Sequence, residues 1–270
     1  MARPLQLIAP RAITPHLPLF IFLPGMDGSG GLLRPQLPGL STSFDVRCLS
    51  IPSDDLTGWD ELTERIGMLI QREQDLSPWR PTYLCGESFG GCLALKLAAR
   101  FPHLCDRLIL INPASSASRQ PWIAWGASVM QQLPGSLYHL STLGLLPLLI
   151  ALHRVAIPMQ RELLAAMQSV SPPSAAWRLS LLNEFVLEEL SLDRIEQPVL
   201  MVASAADRLL PSLDEARRLE RYLSAARTVV LPDSGHACLL EQDVNLGRIM
   251  QSQNFCGVAM PALARSSQVQ

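Results

Sequence analysis

Lysine, acidic and basic runs, and long apolar stretches are all scarce in this chain of 270 residues. Lys96 is the only lysine, charged residues make up 17% of the chain, and the formal net charge is −2. That balance lacks the electrostatic footprint of a nucleic-acid binder. No run of 18 apolar residues occurs, so no membrane-spanning helix is expected. Cysteine is present at Cys48, Cys85, Cys92, Cys105, Cys238 and Cys256, with no C-x-x-C pair and no histidine spacing of a zinc site. No metal or cofactor is therefore expected. Most of these cysteines sit in apolar segments, which favours small-hydrophobe roles and a reducing compartment. Pro4, Pro10, Pro15 and Pro18 interrupt the N-terminal region, which makes a poor signal peptide. A cytoplasmic location is the expectation.

What is plentiful is apolar surface: hydrophobic residues make up 48% of the chain and mean hydropathy is +0.20. Six continuous apolar runs read as strands buried on both faces: 19–24, 45–52, 82–86, 107–112, 198–204 and 227–233. Helical patterns separate them. "TGWDELTERIGMLIQREQ" opens with Thr57 three residues before Asp60 and places Leu62, Ile66, Leu69 and Ile70 on one face. "PSLDEARRLERYL" offers a capping box at Ser212 and Glu215. The alternation predicts an α/β fold, a mainly parallel sheet of about six or more strands with helices on both faces.

One interval departs from the alternation. Residues 117–196 contain no convincing strand and are punctuated by Pro121, Pro134, Pro147, Pro158, Pro172 and Pro173. They read as a helical cap inserted into a core formed by 1–116 and 197–256. From Gln120 to His153 there is no Asp, Glu, Lys or Arg. Trp122, Trp125, Leu133 and "LGLLPLLIAL" in that segment have two readings, as the lining of an acyl pocket or as positions packed on the sheet. Contact of the cap with a membrane surface is a third reading and ranks last, because the run lacks the basic polar face of an interfacial helix. The tail 257–270 lacks periodicity and is expected to be disordered.

The chemistry centres on "TYLCGESFGGCLALKLAAR". Gly86-x-Ser88-x-Gly90 alone recurs by chance in about one chain in ten of this length. Here, however, a strand precedes it and a helix with small residues at its start follows. That places Ser88 on a tight strand-to-helix turn under the positive end of a helix. A serine nucleophile needs a base held by a third group. Asp207 in "VASAADRLLP" and His236 in "LPDSGHACLL" each follow a strand, in the order serine, acid, histidine. Asn112 occupies the alternative position for the acid and cannot carry the charge. Oxyanion donors are expected from the backbone N–H of Phe89 and, in "FLPGMDGSGG", of Met26. Asp27 is read first as a turn residue, with orientation of that loop as its alternative. No Gly-Lys-Ser/Thr ending accompanies the glycines, which disfavours a phosphate loop.

With those residues in place the chain resembles an α/β-hydrolase over essentially its whole length. "LPGMDGSG", "FDVRCLSIP", "GESFGGCLAL" and "INPASS" further resemble the hydrolase half of the plastid esterase/lipase/thioesterase family that includes phytyl ester synthases. The resemblance implies Ser88, Asp207 and His236 as the matching triad, and a small-molecule or lipid acyl ester as the partner. It also implies acyl transfer to phytol or diacylglycerol as an alternative outcome. Larger family members carry an acyltransferase domain with H-x-x-x-x-D, and that spacing is absent here. A serine esterase or thioesterase is thus expected ahead of an acyltransferase. A binding module on the same fold is the remaining alternative. Epoxide hydrolases and dehalogenases, which use an aspartate nucleophile, are disfavoured by Ser88, while a cofactor-free peroxidase-like activity stays open.

Overall fold

The computed structural model describes residues 4–121, 123, 126 and 135–256, with 135–139 described by their backbone. Strands β1 (Gln6–Ile8), β2 (Leu19–Leu23), β3 (Asp45–Ser50), β4 (Thr82–Glu87), β5 (Arg107–Ile111), β6 (Val199–Ser204) and β7 (Ala226–Leu231) form one sheet. Its order is β1-β3-β2-β4-β5-β6-β7. All neighbours are parallel except β1 with β3, where Gln6 faces Ser50 and Ile8 faces Cys48. Every residue of β2, β4 and β6 is buried, as continuous apolar runs in a doubly covered sheet require.

Six of the seven strands coincide with the runs read from the sequence. The seventh, β1, lies in the proline-broken leader and was not anticipated. A strand of three residues, set between Pro4 and Pro10, is too short to show a period. Its antiparallel edge position needs only those three, and it ties the leader to the sheet.

The α-helices given in full by the described residues are α1 (Leu37–Leu40), α2 (Trp59–Asp75), α3 (Phe89–Arg100), α4 (Gly135–Leu149), α5 (Ile157–Ser169), α6 (Pro172–Glu184), α7 (Ser212–Glu220) and α8 (Leu246–Ser252). α2 buries Trp59, Leu62, Ile66 and Ile70, a stripe at helical spacing. The Trp59 ring stacks on Phe89 with centroids 4.8 Å apart, and its Nε1 donates to the Leu181 carbonyl at 2.7 Å. Thr57 does not cap α2: the N-cap is Gly58, and Thr57 Oγ1 instead donates to Asp55 at 2.9 Å. The capping box at Ser212 and Glu215 is also not formed. Ser212 is the first residue of α7, not its cap, and its hydroxyl is turned to Asp207. Glu215 is buried and accepts from Ser115 Oγ and Arg218.

Two hydrophobic cores flank the sheet, one under α2, α3 and α6 and the other under α1 and α8. Between β5 and β6 the chain forms α4, α5 and α6. Leu181, Leu182, Phe185, Leu187 and Leu192 of this interval belong to the first core, so its second half is packed as tightly as the sheet helices. α4 divides: Leu140 and Leu143 are exposed, whereas Ile150 just beyond it is buried in a small cluster with Val155 and Leu163. No described helix is long and apolar enough to cross a membrane.

Candidate active site

β4 ends in Glu87 and α3 begins at Phe89, so Ser88 alone makes the turn. Its φ is 54° and ψ is −115°, a conformation strained for any residue but glycine. Three hydrogen bonds hold it there. Ser88 N–H donates to the Ile111 carbonyl at 3.0 Å, and its own carbonyl accepts from Gly91 at 2.9 Å and Ala114 at 3.0 Å. Close approach explains the two flanking glycines. A Cβ on Gly86 would lie 2.2 Å from the Gly90 carbonyl oxygen, and one on Gly90 would lie 2.0 Å from that of Leu23.

The loops after β6 and β7 bring the other two expected residues to this turn. His236 Nε2 lies 2.8 Å from Ser88 Oγ, and His236 Nδ1 lies 2.7 Å from Asp207 Oδ2. The imidazole and the Asp207 carboxyl are almost wholly buried. Asp207 Oδ1 accepts from the N–H groups of Leu209 at 2.8 Å and Leu210 at 3.0 Å, and Ser212 Oγ donates to Oδ2. Burial alone would raise the Asp207 pKa. The electrostatic and hydrogen-bond interaction with His236, together with the bonds from Ser212 and Leu210, outweighs it and holds the carboxyl below its ordinary value.

Several positioning contacts were not legible beforehand. Asn112, with φ 41°, donates from Nδ2 to the His236 carbonyl at 2.6 Å and to Ser204 Oγ at 2.8 Å. It ties β5, β6 and the histidine loop together. Glu241 accepts from the Gly235 N–H and from Ser234 Oγ, both at 2.8 Å, and from Arg154 Nε at 2.6 Å. Ala237 N–H donates to the carbonyl of Leu149 at the end of α4. A polar residue directly after a strand that ends beside the turn was the one available signal for Asn112.

On the other side of Ser88 runs the loop after β2. An added Cβ on Gly25 would be 3.7 Å from the Ser88 Cβ, so the loop passes against the turn. Phe89 opens α3, and its N–H therefore has no intrahelical acceptor. Asp27 Oδ2 accepts from Ser29 N–H at 2.9 Å and Ser29 Oγ at 2.5 Å, a turn-forming arrangement. Trp122, Trp125 and Leu133 lie outside the described residues.

A cavity of about 460 Å³ opens above Ser88. Its walls include Leu145, Leu149, Leu163, Met167, Leu179 and Leu182, and Ser88, His236, Met26, Asp27 and Glu87 also line it. No lysine or arginine lines it among the described residues.

Glu87 is nearly buried, and its Oε1 has no hydrogen-bond partner among the described residues. Burial, with the Asp27 charge adding to it, pushes its pKa up to about 8. It is therefore mainly protonated at neutral pH. The folded state binds this proton more tightly than the unfolded chain, so its stabilising contribution is complete below about pH 4.5 and is lost as pH rises through about 8. Glu87→Gln, which cannot ionise, should gain stability over the wild type as pH rises from 5 to 8, by an amount on the order of a few kcal/mol. Paired thermal melts across that range measure it. A melting-temperature difference independent of pH would contradict the neutral carboxyl.

A family model described as alpha/beta hydrolase fold matches residues 18–243. Phytyl ester synthase 1, chloroplastic, from Arabidopsis thaliana is 32% identical over 252 residues, covering 85% of this chain and 36% of its own length. The chain thus spans little more than a third of that relative. Pimeloyl-[acyl-carrier protein] methyl ester esterase from Aromatoleum aromaticum is 27% identical over 246 residues, covering 85% of this chain and 86% of its own. Among solved structures, MenH from S. aureus superposes with a TM-score of 0.74 at 16% identity, covering 92% of this chain and 96% of its own. That last likeness is one of fold. The resemblance read from "LPGMDGSG" and "GESFGGCLAL" agrees with these matches.

Proposed function

The chain belongs to the alpha/beta hydrolase fold family, and on that premise we propose that it is a serine hydrolase of carboxylic esters or thioesters with apolar acyl chains. The observation that carries the proposal is the unbroken chain from Ser88 Oγ through His236 to Asp207, with Ser88 and His236 lining a largely apolar cavity. His236 Nε2 takes the Ser88 proton as Oγ bonds to the acyl carbon, and Asp207 stabilises the imidazolium. The N–H groups of Phe89 and Met26 receive the developing oxyanion. As the tetrahedral intermediate collapses, the bond to the leaving group breaks and the imidazolium gives its proton to the departing alkoxide or thiolate. Water then attacks the acyl-enzyme with His236 as base, releasing the acid and restoring Ser88. In this reading residues 117–196 act as the cap that supplies the acyl-chain walls.

The cavity sets the acyl preference. Its volume of about 460 Å³ corresponds to roughly fifteen volumes of ~30 Å³, enough for a chain on the order of ten carbons or more. Each buried methylene contributes about 0.8 kcal/mol, so kcat/KM should rise at least ~10²-fold from butanoyl to decanoyl p-nitrophenyl esters. An optimum at two to four carbons would count against the proposal. Loss of turnover after stoichiometric labelling by a fluorophosphonate is expected in parallel, and turnover that persists in the fully labelled protein would also oppose it.

A second reading replaces water with an alcohol. The phytyl ester synthase match favours it. Added long-chain alcohol should then divert acyl groups into a new ester, whereas free acid as the sole product at saturating alcohol would exclude it. The unpaired, mostly buried cysteines suit a reducing compartment such as the cytoplasm.

A further inference from the structure

α6 carries one charged residue in its interior, Arg178, and that side chain is buried at 2% exposure. Its guanidinium reaches away from α6 to two backbone carbonyls. Nη1 donates to the Met26 oxygen at 2.6 Å and Nη2 to the Pro52 oxygen at 2.7 Å. Gly28 leaves the space that the group fills: a Cβ there, at φ 67°, would lie 2.8 Å from Nη1. The same loop is tied to the segment just after β3 a second time by the Ile51 N–H, which donates to the Gly28 carbonyl at 2.7 Å.

The loop held in this way is the one that passes against Ser88. The Met26 carbonyl belongs to the peptide that follows the Met26 N–H, so fixing it leaves that residue little freedom to rotate. Ala175, Leu179 and Leu182 on α6 line the cavity. They lie three residues before, one after and four after Arg178, so the helix that walls the cavity also anchors the loop beside the nucleophile.

We propose that Arg178 is a positioning residue for the acyl-transfer chemistry: by bridging the Met26 and Pro52 carbonyls it holds the Met26 N–H where an oxyanion on the substrate forms, and ties that placement to the helix lining the acyl cavity. The inference rests on the serine-hydrolase reading above. A guanidinium suits the task because its planar fork spans two fixed acceptors, which a lysine ammonium cannot do from one point. A buried charge in such a position also fixes geometry at little rotational freedom, as pre-organised electrostatic stabilisation requires.

The test compares wild type, Arg178→Lys and Arg178→Gln on a decanoyl p-nitrophenyl ester, with kcat expressed per site titrated by a fluorophosphonate. Affinity for an alkyl boronic acid, which forms a tetrahedral adduct on a serine, is measured beside it, and thermal melts establish folding. Arg178→Gln is expected to lower kcat about 10²-fold with KM within about threefold, and to weaken the boronic acid by a similar factor. Arg178→Lys should keep one carbonyl bond and recover to within about tenfold of wild type. Unchanged kcat per site in a folded variant would overturn the proposal. So would a kcat loss without weaker boronic acid binding, or failure of both variants to fold, which would make the residue purely structural. A wild type inert toward every ester would instead remove the hydrolase reading itself.

Discussion

His236→Ala should lower kcat for ester hydrolysis by on the order of 10⁴–10⁶-fold while changing stability little. Among the described residues the imidazole is the one group hydrogen-bonded to Ser88 Oγ that can take its proton, at 2.8 Å. Alanine leaves Ser88 Oγ with no base beside it and the Asp207 carboxylate without its imidazole partner. Asp207 would still receive the Leu209 and Leu210 N–H groups and the Ser212 hydroxyl, so its loop has reason to stay in place. Asp207→Asn should cost about 10⁴-fold by the same logic, because an amide that accepts those N–H bonds presents its NH₂ to His236 and favours the wrong tautomer. Steady-state kinetics on folded variants measure both. A His236→Ala protein within about tenfold of wild type would contradict the assignment.

Gly90→Ala should prevent the chain from folding to a stable state. The added methyl would sit 2.0 Å from the Leu23 carbonyl oxygen and 2.6 Å from that of Pro24, and both are backbone atoms of the central sheet and its following loop. Neither can yield without shifting β2, which pairs with β3 and β4 along its length. The loss should exceed about 4 kcal/mol, a large part of the ~5–15 kcal/mol that holds a domain together. Gly144→Ala is the control. That glycine lies on α4 with nothing within 4 Å of an added Cβ, and alanine there should gain up to about 1 kcal/mol. Urea denaturation of the two variants gives the comparison. A Gly90→Ala protein as stable as wild type would mean that α3 does not approach β2 as closely as described.

What was readable in advance follows from the kind of force involved. β2, β4, β5 and β6 announce themselves because strands buried on both faces must be continuously apolar. The order of Ser88, Asp207 and His236 was readable because each follows a β-rich run, although β7, ahead of His236, is a half-buried edge strand rather than a doubly covered one. Caps were read less well. Thr57 and Ser212 have the residue types of N-caps, yet Thr57 bonds Asp55 and Ser212 bonds Asp207. A hydroxyl takes the strongest acceptor within reach, here a carboxylate two or five residues upstream, which wins over the free N–H groups of the helix start. Asn112 was read only as an acid that is missing, whereas its amide joins two strand ends to the histidine loop. Arg178 left a fainter signal, the single charge in the interior of its helix, but its acceptors at Met26 and Pro52 are more than 120 residues away.

The central claim is that the acyl group passes through a covalent bond to Ser88. Wild type and Ser88→Ala should each be mixed with a slowly deacylating activated ester, quenched in acid, digested, and examined by mass spectrometry. The account predicts one added acyl group on the peptide containing Ser88 in the wild type, formed at the rate of the product burst, and neither adduct nor burst in Ser88→Ala. Burst and turnover that survive in Ser88→Ala, or an adduct on another residue that forms and decays at the catalytic rate, would contradict it.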